Sequence, residues 1–410
     1  MRMRHQAAIL VATGLAAVWF VRPVAASSPP PVPTNDDCLA CHDDAGATAG
    51  DGRSINVAAK IFSDSVHGPL SCTDCHADLA HAEFPHAEKL AKVDCSACHA
   101  DPVTAYGKSV HAEARKAGNT AAASCTDCHG EHDIRSSSDT QSPTYALNLP
   151  GMCGKCHGDA KIIAAGNIKI GDVFAKYHDS IHGRALEKSG LVVSAKCTDC
   201  HGNHEIRRKS DPESGVFRAN IPATCGKCHG GIRTLYASGI HGSKLAEGDP
   251  KVPVCADCHT AHEIKRTDAD SWKLDVLAEC GSCHMQSLKT YRDTFHGQVT
   301  SLGFARVASC ADCHGAHDIF PKSDPRSMVS NEHRAATCRK CHPSANASFA
   351  RYDPHADKHD AERNPPLYWT ARFMELLLGG VFVFFGLHTS LWFQRLLRKD
   401  PPPKPKKGGA

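Results

Sequence analysis

Pairs of cysteines two residues apart, each followed directly by histidine, are the chemistry-bearing pattern of this chain. Eleven such C-x-x-C-H pentads consume all 22 cysteines. The first four are Cys38 and Cys41 with His42, Cys72 and Cys75 with His76, Cys95 and Cys98 with His99, and Cys125 and Cys128 with His129. Four more are Cys153 and Cys156 with His157, Cys197 and Cys200 with His201, Cys225 and Cys228 with His229, and Cys255 and Cys258 with His259. The last three are Cys280 and Cys283 with His284, Cys310 and Cys313 with His314, and Cys338 and Cys341 with His342. This is the attachment sequence of c-type haem. Two thiols one helical turn apart form thioethers with the vinyl groups of one porphyrin, and the next histidine becomes the proximal iron ligand. A structural zinc site needs four ligands in one cluster and would not place a histidine after every pair. A disulfide framework would show varied spacings. The pattern therefore implies eleven covalent haems and a redox function.

The remaining histidines fall into a repeat. Five units each have an aromatic residue, a histidine five positions later, a first haem motif, a further histidine, and a second haem motif. The openings are FSDSVHG at Phe62, YGKSVHA at Tyr106, YHDSIHG at Tyr177, YASGIHG at Tyr236 and YRDTFHG at Tyr291. They nominate His67, His111, His182, His241 and His296 as distal ligands. In units two to five the first motif runs on to His132, His204, His262 and His317, three residues past the proximal histidine. A residue so placed cannot reach the far face of its own haem, so it must serve a neighbouring one. His81 is the out-of-register equivalent in unit one, in competition with His86, and His178 has no counterpart in other units. The leading CLACH makes the eleventh haem, and His355 is chosen over His359 or His333 as the ligand from outside the repeats. Before the C-terminal apolar segment the exported part has only Met152, Met285 and Met328, so the haems are expected to be bis-histidine and of low potential.

Both ends of the chain indicate where it lives. Residues 1–26 read as a signal peptide: Arg2 and Arg4, an apolar run from Ala7 to Val21, then Val24-Ala25-Ala26. An uncleaved N-terminal anchor is the other reading. Leu376 to Phe393 gives 18 residues without a formal charge, enough for a membrane helix, and contains His388. Arg395, Arg398, Lys399, Lys404, Lys406 and Lys407 follow, which puts the C-terminus in the cytoplasm and the haem region in the periplasm. The expected domains are a haem domain over 27–366, an anchor over 367–397 and a basic Pro/Lys tail over 398–410. Asn364-Pro365-Pro366 is expected to hinge the anchor.

The net charge of +3 conceals an acidic haem region. Without the signal peptide and everything from Arg372 onward, 37 basic and 42 acidic residues remain. Ionised haem propionates add further negative charge. Charge and compartment both exclude nucleic acid as a partner. Few runs alternate in the manner of strands. The expected fold is mainly α and irregular: short helices and loops wrapped around porphyrins that supply most of the buried apolar surface, since about 31 residues per haem is too few for an ordinary core.

The doubled units resemble the multihaem c-type cytochromes of the cytochrome c3-like superfamily over residues 35–345. LLLGGVFVFFGLHTSLWF is similar to the first membrane helix of di-haem b-type cytochromes in quinone-linked formate dehydrogenases and hydrogenases. It also resembles membrane segments of b/c cytochrome complexes from metal-respiring bacteria. That resemblance implies that His388 can bind haem b, alongside the plainer reading of a polar residue packed against a partner. With one helix only, a complete quinone site needs a multi-helix cytochrome b partner. The expected function is electron transfer between the quinone pool and periplasmic redox carriers at the inner membrane, with no catalytic side chain. The alternative is a reductase or oxidase of a small nitrogen or sulfur oxyanion, for which Tyr145 and Tyr352 are the only nominees.

Overall fold

In a computed structural model of the chain, residues 31–168 and 171–398 are described. The expected signal peptide and nearly all of the basic tail lie outside these residues. The described residues form helices, turns and one isolated bridge between Thr48 and Ser54, without strands. The contacts divide the chain into two compact units, one ending at Cys98 and one starting at His99.

Most helices are shorter than ten residues, and the haem motifs explain why. In five first motifs the second residue after the leading cysteine is Asp74, Asp127, Asp199, Asp257 or Asp312. Its carboxylate accepts the backbone N–H of the residue before that cysteine, at 2.6–2.9 Å. This is the return half of a capping box, which satisfies a helix-start donor inside a single turn. The turn then ends at once. Gly130, Gly202 and Gly315, directly after the proximal histidines, take φ of 81–85°, and Thr260 takes 63° at the matching position. Left-handed φ is cheap for glycine and costly for threonine. The reversal carries the chain away towards the next histidine.

The opening of each unit is equally economical. The Tyr106, Tyr177, Tyr236 and Tyr291 hydroxyls donate to the carbonyls of Ala123, Ala195, Pro253 and Ala308, at 2.7–2.9 Å. Each acceptor lies two residues before a first-motif cysteine, so the tyrosine clamps the chain where a haem is attached. Ser109, Ser180 and Thr294 cap the short helices that carry the opening histidines, accepting from Ala112, Gly183 and Gly297 N–H at 3.0–3.1 Å.

Neighbouring repeats are stitched by the backbone. The N–H groups of Val110, Ile181 and Ile240 donate to the carbonyls of Ile206, Ile264 and Ile319 at 2.7–2.8 Å. Each acceptor sits two residues past the extra histidine of the following unit, in a His-Glu-Ile or His-Asp-Ile step. Among the described residues few apolar side chains are buried, Leu186, Val254 and Pro150 most completely. Buried small hydroxyls (Ser109, Ser142, Ser180, Ser327) sit among them. The protein has little apolar core of its own.

The C-terminal helix runs Pro365–Leu397, 33 residues, with none of its apolar window buried. Its length of about 50 Å exceeds a bilayer core of about 30 Å. Pro365 and Pro366 occupy its first turn, where proline is well tolerated, instead of forming a hinge ahead of it.

Candidate haem sites

The imidazoles meet in pairs. Metal–imidazole bonds are about 2.0–2.1 Å and a ring centroid lies roughly 1.1 Å behind its nitrogen, so two imidazoles on one metal have centroids about 6.2–6.4 Å apart. Nine pairs have centroids 6.0–6.3 Å apart. Each joins one motif histidine to one histidine from elsewhere.

Two rules generate eight of the nine, with one substitution at the chain end. An opening histidine faces the proximal histidine of its own unit's second motif: His111 with His157, His182 with His229, His241 with His284, and His296 with His342. An extra histidine faces the proximal histidine of the preceding unit's first motif: His204 with His129, His262 with His201, and His317 with His259. Unit five has no successor, and His355 takes the position opposite His314 at 6.2 Å. Its Nδ1 is 3.1 Å from the Thr290 hydroxyl.

The ninth pair is His42 with His86, at 6.0 Å and an interplanar angle of 12°. The structure seats His86 there, and not His81. His81 is exposed and belongs to none of the nine pairs. In unit one the spacing from His76 to His81 is five residues instead of three, so the repeat register does not carry over. The His42 Nδ1 lies 2.7 Å from the Ile55 carbonyl and the His86 Nδ1 2.9 Å from that of Ala87. A carbonyl only accepts, so each Nδ1 is the protonated nitrogen and each Nε2 is left with its lone pair for a metal. His67, His76, His99 and His132 each make interactions as well. His359 accepts from Arg372 at 3.2 Å, and His333 stands beside Ser330 at the start of the helix Arg334–Arg339, so neither enters the nine pairs.

Burial favours the ligating form. Desolvation pushes the imidazoles of His111, His129, His157, His182, His201, His241, His259, His262, His296 and His314 below the ordinary histidine value. Neutral imidazole is the form that binds a metal.

The cysteines show how consecutive motifs adjoin. The Cys153 thiol adjoins Cys197, Cys225 adjoins Cys255, and Cys280 adjoins Cys310. Each contact joins the second motif of one unit to the first motif of the next. Cys38 and Cys72 do the same for the leading motif. Within units, Cys128 lies near Cys156, Cys200 near Cys225, Cys258 near Cys280, and Cys313 near Cys338. From Cys125 to Cys338 the attachment points thus follow one another in chain order. One aromatic was missed in the sequence: Trp272 stacks on His259 at 5.5 Å and 10°. A tryptophan before a haem motif occurs only in unit four, so no repeat pointed to it.

The family described as doubled CXXCH motif matches residues 190–234. The chain is 28% identical over 144 residues to the cytochrome c-type protein NrfB of Escherichia coli O6:H1, covering 33% of this chain and 72% of that one. No solved structure matches.

Proposed function

We propose that this chain, a multihaem c-type cytochrome, is a membrane-anchored wire. In this reading it passes electrons between the quinone pool and periplasmic redox carriers, through a multi-helix cytochrome b partner. The observation that carries the proposal is the combination of paired imidazoles with attachment cysteines that adjoin in chain order. A haem c at each motif supplies one-electron redox chemistry, and the protein's part is spacing, ligation and tuning. The motifs at Cys72 and Cys95 bring His76 and His99 as proximal ligands, so that eleven haems are served. Two imidazoles at one iron leave no open position for substrate, which favours the wire over an oxyanion reductase.

The apolar helix Pro365–Leu397 supports the anchor. Basic residues beyond it favour a cytoplasmic tail. His388, inside this helix, lies beside Phe384 at 6.4 Å. An ionisable residue in a membrane has a functional role by default, and haem b ligation shared with the partner is the role proposed here. The test is purification from membranes with the partner. Mass spectrometry should give eleven covalent haems, and a bilayer-embedded quinol should reduce them only in the complex. Replacing His388→Ala should slow that reduction while leaving every haem c attached. An unrelated anchor helix that sustains full quinol-driven reduction would overturn the membrane half of the proposal.

A further inference from the structure

The repeat is interrupted once. From the second-motif histidine to the next opening aromatic is seven residues at His99–Tyr106, His229–Tyr236 and His284–Tyr291, but twenty at His157–Tyr177. The insertion carries a helix at Ala160–Ala165 and brings in the helix Val173–Asp179. The Phe174 ring rests on Gly154 of the CGKCH motif, 2.6 Å from where a Cβ would stand, so only glycine fits beneath it.

This arrangement opens a groove of about 720 Å³ between the helices Leu149–His157 and Val173–Asp179, within the range of about 300–1,000 Å³ for small-molecule sites. Leu147, Met152 and Phe174 form apolar walls, Lys155 offers a donor, and His178 and Glu187 complete the lining, while the Asn148 amide donates to the Thr140 and Ser142 carbonyls. No motif cysteine and none of the paired imidazoles lines it, so the groove is not a porphyrin slot. Its wall is nonetheless the helix that bears Cys153, Cys156 and His157 on another face, and a helix is only about 10–12 Å across.

His178 and Glu187 make a pair that recurs in none of units two, four and five: Gly107, Ala237 and Arg292 stand where His178 does, and Lys116, Ala246 and Ser301 where Glu187 does. The His178 Nδ1 contacts a Glu187 carboxylate oxygen directly. The carboxylate fixes the proton on Nδ1, which leaves the Nε2 of the half-exposed ring as an acceptor.

The geometry points to a lateral port for a flat, oxygenated aromatic electron carrier of the quinone class, bound in this groove. Such a molecule needs apolar walls for its rings and a donor for its carbonyl oxygens when oxidised, which Lys155 provides. Reduced, it needs an acceptor for a hydroxyl proton, which His178 Nε2 provides. On oxidation the hydroquinone gives up two electrons and two protons. Two ferric haem c irons held at neighbouring motifs would accept the electrons, one each; one proton passes to His178 Nε2, and the other passes to water. The port rests on the wire reading only for where the electrons go, since binding itself is independent of it.

The test uses the full-length holoprotein and 1,4-naphthoquinone-2-sulfonate as probe. Calorimetry should show saturable binding to the wild type, and Met152→Trp, which fills the groove, should weaken it by about tenfold or more. His178→Gln should leave oxidised-probe binding in place but slow haem reduction by the reduced probe about a hundredfold, the loss of a general base. Haem content checks that each variant is assembled. Equal binding by Met152→Trp and wild type, or an unchanged reduction rate in His178→Gln, would overturn the port. Quinol-driven reduction through the membrane partner should be untouched by either variant, so failure of the port and failure of the wire are separable.

Discussion

Removing His204 isolates the borrowing of a ligand between repeats. The residue lies three positions past His201, yet its ring faces His129 of the preceding unit at 6.0 Å and 23°, while His201 faces His262. His204→Ala should therefore leave its own unit's first haem intact and strip one ligand from the haem on Cys125 and Cys128. The expected change is one haem per chain turning five-coordinate and high-spin. After reduction the variant should bind one carbon monoxide per chain, where the wild type binds none. The Val110–Ile206 backbone bond at 2.8 Å does not involve the side chain, so the units should stay joined. The decisive comparison repeats the substitution in a Cys125→Ser, Cys128→Ser background, which lacks that haem. There His204→Ala should add no carbon monoxide binding. If the binding persists, His204 serves another iron and the inter-unit rule is wrong.

Two other substitutions test specific side chains. His86→Ala should create one carbon-monoxide-binding haem and His81→Ala none, because it is His86 that faces His42 at 6.0 Å; reduced-minus-oxidised spectra under carbon monoxide read both. Asp127→Asn should cost about 0.5–2 kcal/mol by weakening a helix cap, measured as a lower denaturation midpoint near neutral pH. The Ser124 hydroxyl and backbone N–H hold the Asp127 carboxyl below the usual aspartate value. Its stabilisation is thus complete above the unfolded pKa of about 3.9 and fades as pH falls through the folded value, so wild type and variant should converge in acid.

The sequence disclosed the c-type haem motifs and most of the histidines that pair because both are chemical and repeated. A pentad with fixed spacing is a local code, and His111, His182, His241 and His296 announce themselves by their distance from an aromatic. What stayed hidden was relational. That His204 belongs to His129 and not to some other iron depends on where the Ile206 carbonyl lies, and no spacing states that. The His-Glu-Ile and His-Asp-Ile steps at His204, His262 and His317 were in plain view, but their meaning appears only once the backbone bonds to Val110, Ile181 and Ile240 are known. His86 was obscured for the opposite reason. Unit one departs from the register, so the repeat argued for His81, while the actual neighbour of His42 comes from a loop without repeat context. The prolines before the anchor misled because proline both breaks a helix from within and starts one at its first turn.

An array in which each unit borrows a ligand from its successor has a necessary consequence at its end. The last unit is one imidazole short, and something outside the repeats must supply it. Here the segment after the fifth unit does so. His355 faces His314, Gln286 donates to Asp357 at 2.7 Å, and Lys358 pairs with Asp293 at 3.6 Å. This strap lies directly against the unit-five helix Met285–Arg292 and the turn that follows it. Ten residues later the same chain enters the helix Pro365–Leu397, and Arg363 already pairs with Asp353 beside His355 at 2.8 Å. The imidazole opposite His314 thus comes from the segment that leads to the apolar helix. A cap in a repeat array usually only shields an exposed end. This one also places an imidazole opposite a motif histidine, so the His314–His355 pair is tied to the segment that leads into the apolar helix.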